Sequence, residues 1–159
     1  PKAGSGPVSL LTSMWRETPE HLRESVTKDR MMRLYVRSEA QRLTNIRAGQ
    51  NRRKGNPGPE MSIAKLAFAE LNQDLLTAAV DMMGMAGQVD YDYTFRRPED
   101  LSVDGSENGI QHGFLRVRAN SIEGGTSEIM RNILGEQVLG LPGEPRIDKD
   151  VPWIEVPRS

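Results

Sequence analysis

Gly124, Gly125, Thr126, Ser127 and Glu128 stand directly before a run of helical periodicity, and together they can seat an anion. Glycine takes positive φ without strain and lets bare backbone N–H groups approach a ligand. Thr126 or Ser127 is a natural N-cap for the segment that follows. The dipole of that helix adds partial positive charge at the same corner, so a phosphate or pyrophosphate can be held there without a lysine. Downstream, Ile129 and Ile133, and Met130, Leu134 and Val138, recur every fourth residue, and Gly140 with Pro142 closes the segment. This pattern predicts a helix with one buried face. The same Gly-Gly-Thr also reads as an ordinary structural turn into a helix, and by itself does not separate the two uses.

Several earlier helices must position that corner. Val8 to about Glu17 carries Leu10, Leu11, Met14 and Trp15 on one side. Thr18-Pro19 then opens the next helix, with proline well placed at a first helical position. From Pro19 to about Gln50, Leu22, Val26, Met32, Val36, Ala40, Leu43 and Ile46 keep roughly helical spacing on a charged background, which predicts a long solvent-bordered helix with that stripe inward. Asn51 to Pro59 is rich in breakers and reads as a connection. Ser62 caps a third helix whose stripe Ile63, Ala67, Leu71, Leu75, Ala79, Met83 is the cleanest in the chain; Leu66, Phe68, Leu76, Ala78 and Met82 widen it, so contact on two sides is expected, as in a bundle. Gln88 to Gly113 reads as a surface excursion, Phe114 to Asn120 as a resumed helix, and Gly143 to Ser159 as a Pro-rich extended tail.

Bulk properties narrow the function classes. With 159 residues the chain can bury one core, so residues 1–159 are expected to form a single helical domain. Twenty-one Lys and Arg against 22 Asp and Glu leave a net charge of −1, which supplies no electrostatic drive toward nucleic acid or an anionic membrane. The absence of cysteine excludes a disulfide framework, thiol catalysis and cysteine-ligated zinc, and a reducing cytoplasm is the simplest compartment. No apolar run reaches the length of a membrane span. His21 and His112 lack partners at metal spacing and read as surface residues, and the basic run Arg47 to Lys54 lacks interleaved aromatics and reads as a solvated helix end.

The longer string Ile122-x-Gly124-Gly125-Thr126-Ser127-Glu128-Ile129-x-Arg131-Asn132-Ile133, followed by Val138-Leu139-Gly140-Leu141-Pro142, resembles the C-terminal helical domain of the acyl-CoA dehydrogenase family. Arg33 through Asn45 and Pro59 through Leu66 are similar to the middle helices of that domain, so the resemblance covers roughly Pro19 to Arg146. It implies an all-α, up-and-down helical bundle forming the C-terminal part of a larger flavoenzyme. It further implies FAD as cofactor, an acyl-CoA thioester as substrate, a homo-oligomer (dimer or tetramer) and electron-transfer flavoprotein as redox partner. Gly125 and Thr126 would meet the flavin cofactor through backbone and hydroxyl donors, with Glu128 near its adenine end.

The segment Asp81-Met82-Met83-Gly84-Met85-Ala86-Gly87 stands where relatives commonly carry Gln-x-x-Gly-Gly-x-Gly, which meets the dinucleotide part of FAD across a subunit interface; Gly84 is the matching contact. Asp81 replaces the glutamine and Met85 the second glycine. A carboxylate beside a pyrophosphate is unfavourable unless it meets a ribose hydroxyl or turns away, and the segment also reads as a glycine C-cap with methionines filling the core.

The implied reaction is α,β-dehydrogenation, which needs a carboxylate base in a dry pocket. Glu123 lies one residue out of register with the relatives that carry the base in this motif, so the catalytic base is left unassigned. Without the remaining domains such a bundle is expected to be inactive alone. The rival reading is a helical interaction module that keeps the fold and binds no flavin.

Overall fold

A computed structural model describes residues 2–55, 58, 60–89, 109–143 and 151–156. They form an all-α bundle in which every long helix packs on α3 (Glu60–Met83). This helix holds no glycine or proline, and its buried residues Ala69, Leu71, Asn72, Leu75, Leu76, Ala78 and Ala79 wrap well past a single stripe. Contact on two sides follows, as the width of its apolar face predicts. Its partners are α1 (Pro7–Glu17), contributing Val8 and Leu11, and α2 (Ser25–Arg53), contributing Met31 and Leu34. Val117, which follows α4 (Gly109–Arg116), closes the core from the other side.

The directions alternate. Arg30 pairs with Asp81 at 2.6 Å and Arg37 with Asp74 at 2.5 Å, while Arg47 reaches Glu60 at 3.1 Å, so α2 and α3 run antiparallel. Arg118 donates to Thr77 while Lys65 reaches the Asn120 carbonyl, so the segment leading out of α4 runs back along α3. The chain then turns at the paired glycines, and α5 (Ser127–Ile133) proceeds alongside α3 in its own direction, with Arg131 bonded to Glu70.

Five segments depart from expectation. Pro19 precedes a 3₁₀ turn, Glu20–Leu22, instead of opening the long helix, because Arg23 donates to the carbonyls of Thr18 and Arg16 and closes the end of α1. Asn51 to Arg53 belong to α2, and the stop comes at Gly55 (φ +76°), where the left-handed conformation suits glycine. α3 begins at Glu60, two residues before Ser62; its carboxylate is held by Asn51 and Arg47. Gly109 to Gly113 are helical and belong to α4, and Trp153–Glu155 form a 3₁₀ turn within the expected extended tail. The remainder of the excursion, 90–108, and tail residues 144–150 and 157–159 lie outside the described residues.

A larger correction concerns α2. Its expected inward stripe faces solvent: Val26 is 75 % exposed, Val36 63 % and Leu43 57 %. Met31, Leu34 and Ala48 are buried instead. The helix is apolar on two faces, and only the side bearing the arginines that pair with α3 meets the bundle.

The start of the chain is tied down by a carboxylate. Gly4 N–H donates to Glu39 Oε1 at 2.7 Å, and Arg42 pairs with Glu39 Oε2 at 2.8 Å. These contacts, the Gly4 amide foremost, hold the Glu39 carboxyl below its ordinary value of 4.5. A depressed folded-state pKa means that the anchoring is fully present above that value and is lost as pH falls through the lower one. Protection of the Gly4 amide, taken relative to its intrinsic exchange rate at each pH, is therefore expected to fall as pH drops below about 4.5, and Glu39→Gln is expected to show reduced protection already at neutral pH. A Gly4 protection indifferent to both would contradict this anchor.

Candidate functional site

The corner at Gly124 and Gly125 is built from both sides. The backbone reverses through Glu123, whose N–H donates to the Ala119 carbonyl at 2.8 Å, into Gly124 at φ +64° and Gly125 at φ +103°. Both angles lie where a side chain is strained. A Cβ on Gly125 would also sit 2.8 Å from Met130 Cε. Thr126 is the N-cap of α5: its Oγ1 accepts from Ile129 N–H at 3.2 Å, which leaves the hydroxyl proton free to donate elsewhere.

Lys65 supplies the floor. Its ammonium, rising from α3, donates to the carbonyls of Asn120, at 3.1 Å, and Gly125. Drawing these oxygens toward α3 fixes the orientation of the peptide planes in the turn. Among the described residues, none of the amides of Gly124, Gly125, Thr126, Ser127 and Glu128 donates to a protein acceptor. The corner therefore presents unengaged donors at the head of a capped helix. Lys65 escaped the sequence reading. The signal was a lone ammonium inside the apolar run Ile63-Ala64-Lys65-Leu66-Ala67-Phe68, where a charge must find partners.

The neighbouring charges are arranged in short chains. Arg131 bridges Glu128, at 2.5 Å, and Glu70, at 2.6 Å, tying the first turn of α5 to α3 while Glu128 remains exposed. Arg116 clasps both oxygens of Glu123 at 3.2 and 2.9 Å. Within this chain Glu123 is a half-exposed carboxylate doubly held by a guanidinium, not a base in a dry pocket. The expected buried face of the last helix is also absent: α5 has no buried residue, Ile129 is 50 % exposed, and after Ile133 the chain passes into a π-helical turn, Leu134–Val138. The apolar residues recur as the periodicity predicts, but Met130, Ile133 and Leu134 are only partly covered.

Gly125, Thr126 and Glu128 are thus gathered at one corner, whereas Gly84 is elsewhere. It terminates α3 with φ +59° and starts the 3₁₀ turn Gly84–Gln88. Lys65, beneath the glycine corner, and Met83 are separated by eighteen residues of unbroken helix, or about 27 Å at about 1.5 Å per residue. One copy of this chain cannot bring the two places to the same small group. Asp81 turns toward α2 and its ion pair with Arg30. Among the described residues no group of His, Cys, Asp or Glu could hold a metal, and no helix is long and apolar enough to cross a membrane.

The described residues form an all-α bundle whose last helix opens on a threonine-capped double-glycine corner, and comparison with known proteins supplies the family. The family model described as acyl-CoA dehydrogenase, C-terminal domain, matches residues 16–139. The chain belongs to the acyl-CoA dehydrogenase family. It is similar to acyl-CoA dehydrogenase IpdE1 of Mycobacterium tuberculosis, with 28 % identity over 123 residues covering 77 % of this chain and 29 % of that protein. The protein of the same name from Mycolicibacterium smegmatis is 37 % identical over 89 residues, covering 55 % and 19 %. Among solved structures, the Tcur3481-Tcur3483 steroid ACAD superposes with a TM-score of 0.66 at 22 % identity, covering 86 % of this chain and 34 % of that one, a likeness of fold. The chain spans less than a third of the length of the curated relatives it matches.

Proposed function

We propose that this chain is the flavin-facing helical domain of an FAD-dependent acyl-CoA dehydrogenase and is inactive by itself. The single observation that carries the reading is the row of unengaged amides from Gly124 to Glu128, on a turn whose carbonyls are drawn back by Lys65. Those donors suit a diphosphate, the Thr126 hydroxyl can add another, and Glu128 at the rim can accept from a nucleotide hydroxyl or amine. When bound, FAD would supply the hydride acceptor for α,β-dehydrogenation of an acyl-CoA thioester. Gly84, at the far end of α3, serves a second flavin contact, and the span between the two corners favours a cofactor shared between neighbouring subunits of a dimer or tetramer. The base must come from outside the Glu123 position, and electron-transfer flavoprotein is the redox partner that family membership suggests.

A second reading, a helical interaction module without flavin, is favoured by Asp81, whose carboxylate serves α2, and by Met85, 88 % exposed where relatives carry glycine. Purifying the chain together with the polypeptide that supplies the other domains separates the two. The flavin reading expects a yellow complex with flavin absorbance, and Gly125→Val, which strains the turn by about 1–3 kcal/mol, is expected to weaken flavin retention roughly tenfold or more. A complete, folded assembly that stays colourless would sink the flavin reading and leave the interaction module.

A further inference from the structure

The cations beside the glycine corner differ in what neutralises them. Arg116 is held by Glu123, and Arg131 by Glu128 and Glu70. Lys65 is half-buried and, among the described residues, meets no carboxylate; its ammonium donates only to the main-chain carbonyls of Asn120, at 3.1 Å, and Gly125. Neutral carbonyls satisfy its donors and leave its charge uncompensated. An ammonium drawn partly out of water carries a cost that an opposite charge offsets. We infer that Lys65 is a positioning residue for the diphosphate of the cofactor, acting through the Gly125–Thr126 peptide without touching the ligand. This inference rests on the flavin reading and adds to it the source of charge behind the corner.

Orientation comes first. Every described peptide bond is trans, so the C=O and N–H of one peptide unit point in opposite directions. With the Gly125 carbonyl turned toward α3 by the ammonium, the N–H of exposed Thr126 turns away from α3. Gly125, at φ +103°, offers this unit little resistance to flipping, so the pin decides which way it faces. The pin is itself anchored. Lys65 Cε lies 4.0 Å from where a Gly124 side chain would begin, and its other acceptor belongs to Asn120, 7 % exposed. Polarisation acts through the same bond, because an ammonium on the carbonyl oxygen makes the N–H at the far end of the unit a stronger donor. A diphosphate on that N–H would stand one peptide unit away from a cation that has no other counter-charge.

The test uses the chain assembled with the polypeptide that supplies the other domains. FAD is titrated, and ADP and adenosine are compared as competitors, since both carry the adenine and only ADP carries the diphosphate. Lys65→Gln keeps a donor for the carbonyls and removes the charge. It is expected to raise the FAD dissociation constant about tenfold and to lower the preference for ADP over adenosine by a similar factor. Lys65→Arg, which returns the charge and the donors, is expected to recover most of both. A lysine that served the fold alone would weaken the two competitors together. In the unmutated assembly, the amide resonance of Thr126, read with isotope-labelled threonine, is expected to move on addition of ADP and to stay in place with adenosine. A Thr126 resonance unmoved by ADP overturns the inference whatever the variants do, and so does an ADP preference that survives Lys65→Gln; a yellow wild-type complex then leaves the flavin reading standing. A wild-type assembly that takes up no FAD overturns both.

Discussion

Leu75→Ala is expected to remove about 3–5 kcal/mol of folding stability. Leu75 is 1 % exposed at the middle of α3, in the cluster where α1, α2 and the segment around Val117 meet, so the cavity left by truncation has packed walls on every side. Domains of this size have only about 5–15 kcal/mol in total, which makes this one change a large fraction of the whole. Urea titration is the measurement: the midpoint should fall steeply while the slope is kept. Leu22→Ala, removing the same atoms from a side chain that is 61 % exposed, should shift stability by no more than about 0.5 kcal/mol. Equal losses for the two leucines would mean that the core lies elsewhere.

The second large effect is expected at Lys65. Lys65→Met keeps most of the stem and deletes the ammonium, so the carbonyls of Asn120 and Gly125 lose their common donor. Hydrogen bonds from a charged group contribute about 1.5–3 kcal/mol each, and a total loss of about 2–4 kcal/mol is expected because solvent recovers part of it. The location of the damage distinguishes this change from a core defect. Exchange-protected amides around Val117 and Asn120 should open first, while α1 and α2 unfold with their usual cooperativity. A stability within about 0.5 kcal/mol of the parent, with an unchanged exchange pattern, would show that the turn stands without its lysine.

Much of the architecture was readable from residue spacing because α3 dictates it. Leu71, Leu75 and Ala79 recur every four positions, and a wide apolar face has few ways to be buried other than at the centre of a bundle. The helix α2 was legible as a helix and illegible as to direction. Met32, Val36 and Ala40 form as good a stripe as Met31, Leu34 and Tyr35, and periodicity has no means of choosing between two apolar faces of one helix. The glycine corner was readable as a positive-φ turn with a threonine cap, since only local geometry is involved. Its support by Lys65 was not, because that contact joins residues sixty positions apart. Glu123 looked available in the sequence for the same reason: its engagement by Arg116 depends on how the chain reverses after α4.

The unbroken run from Glu60 to Met83 has an implication for how the domain can change length. It works as a ruler between Gly84 and the corner above Lys65, because no hinge residue within it can absorb an error. Each inserted or deleted residue would move one end by about 1.5 Å and swing it by about 100° about the helix axis, aiming the two corners in unrelated directions. Sequences descended from this one are free to vary what lies on the surface of that rod, but not the number of residues in it.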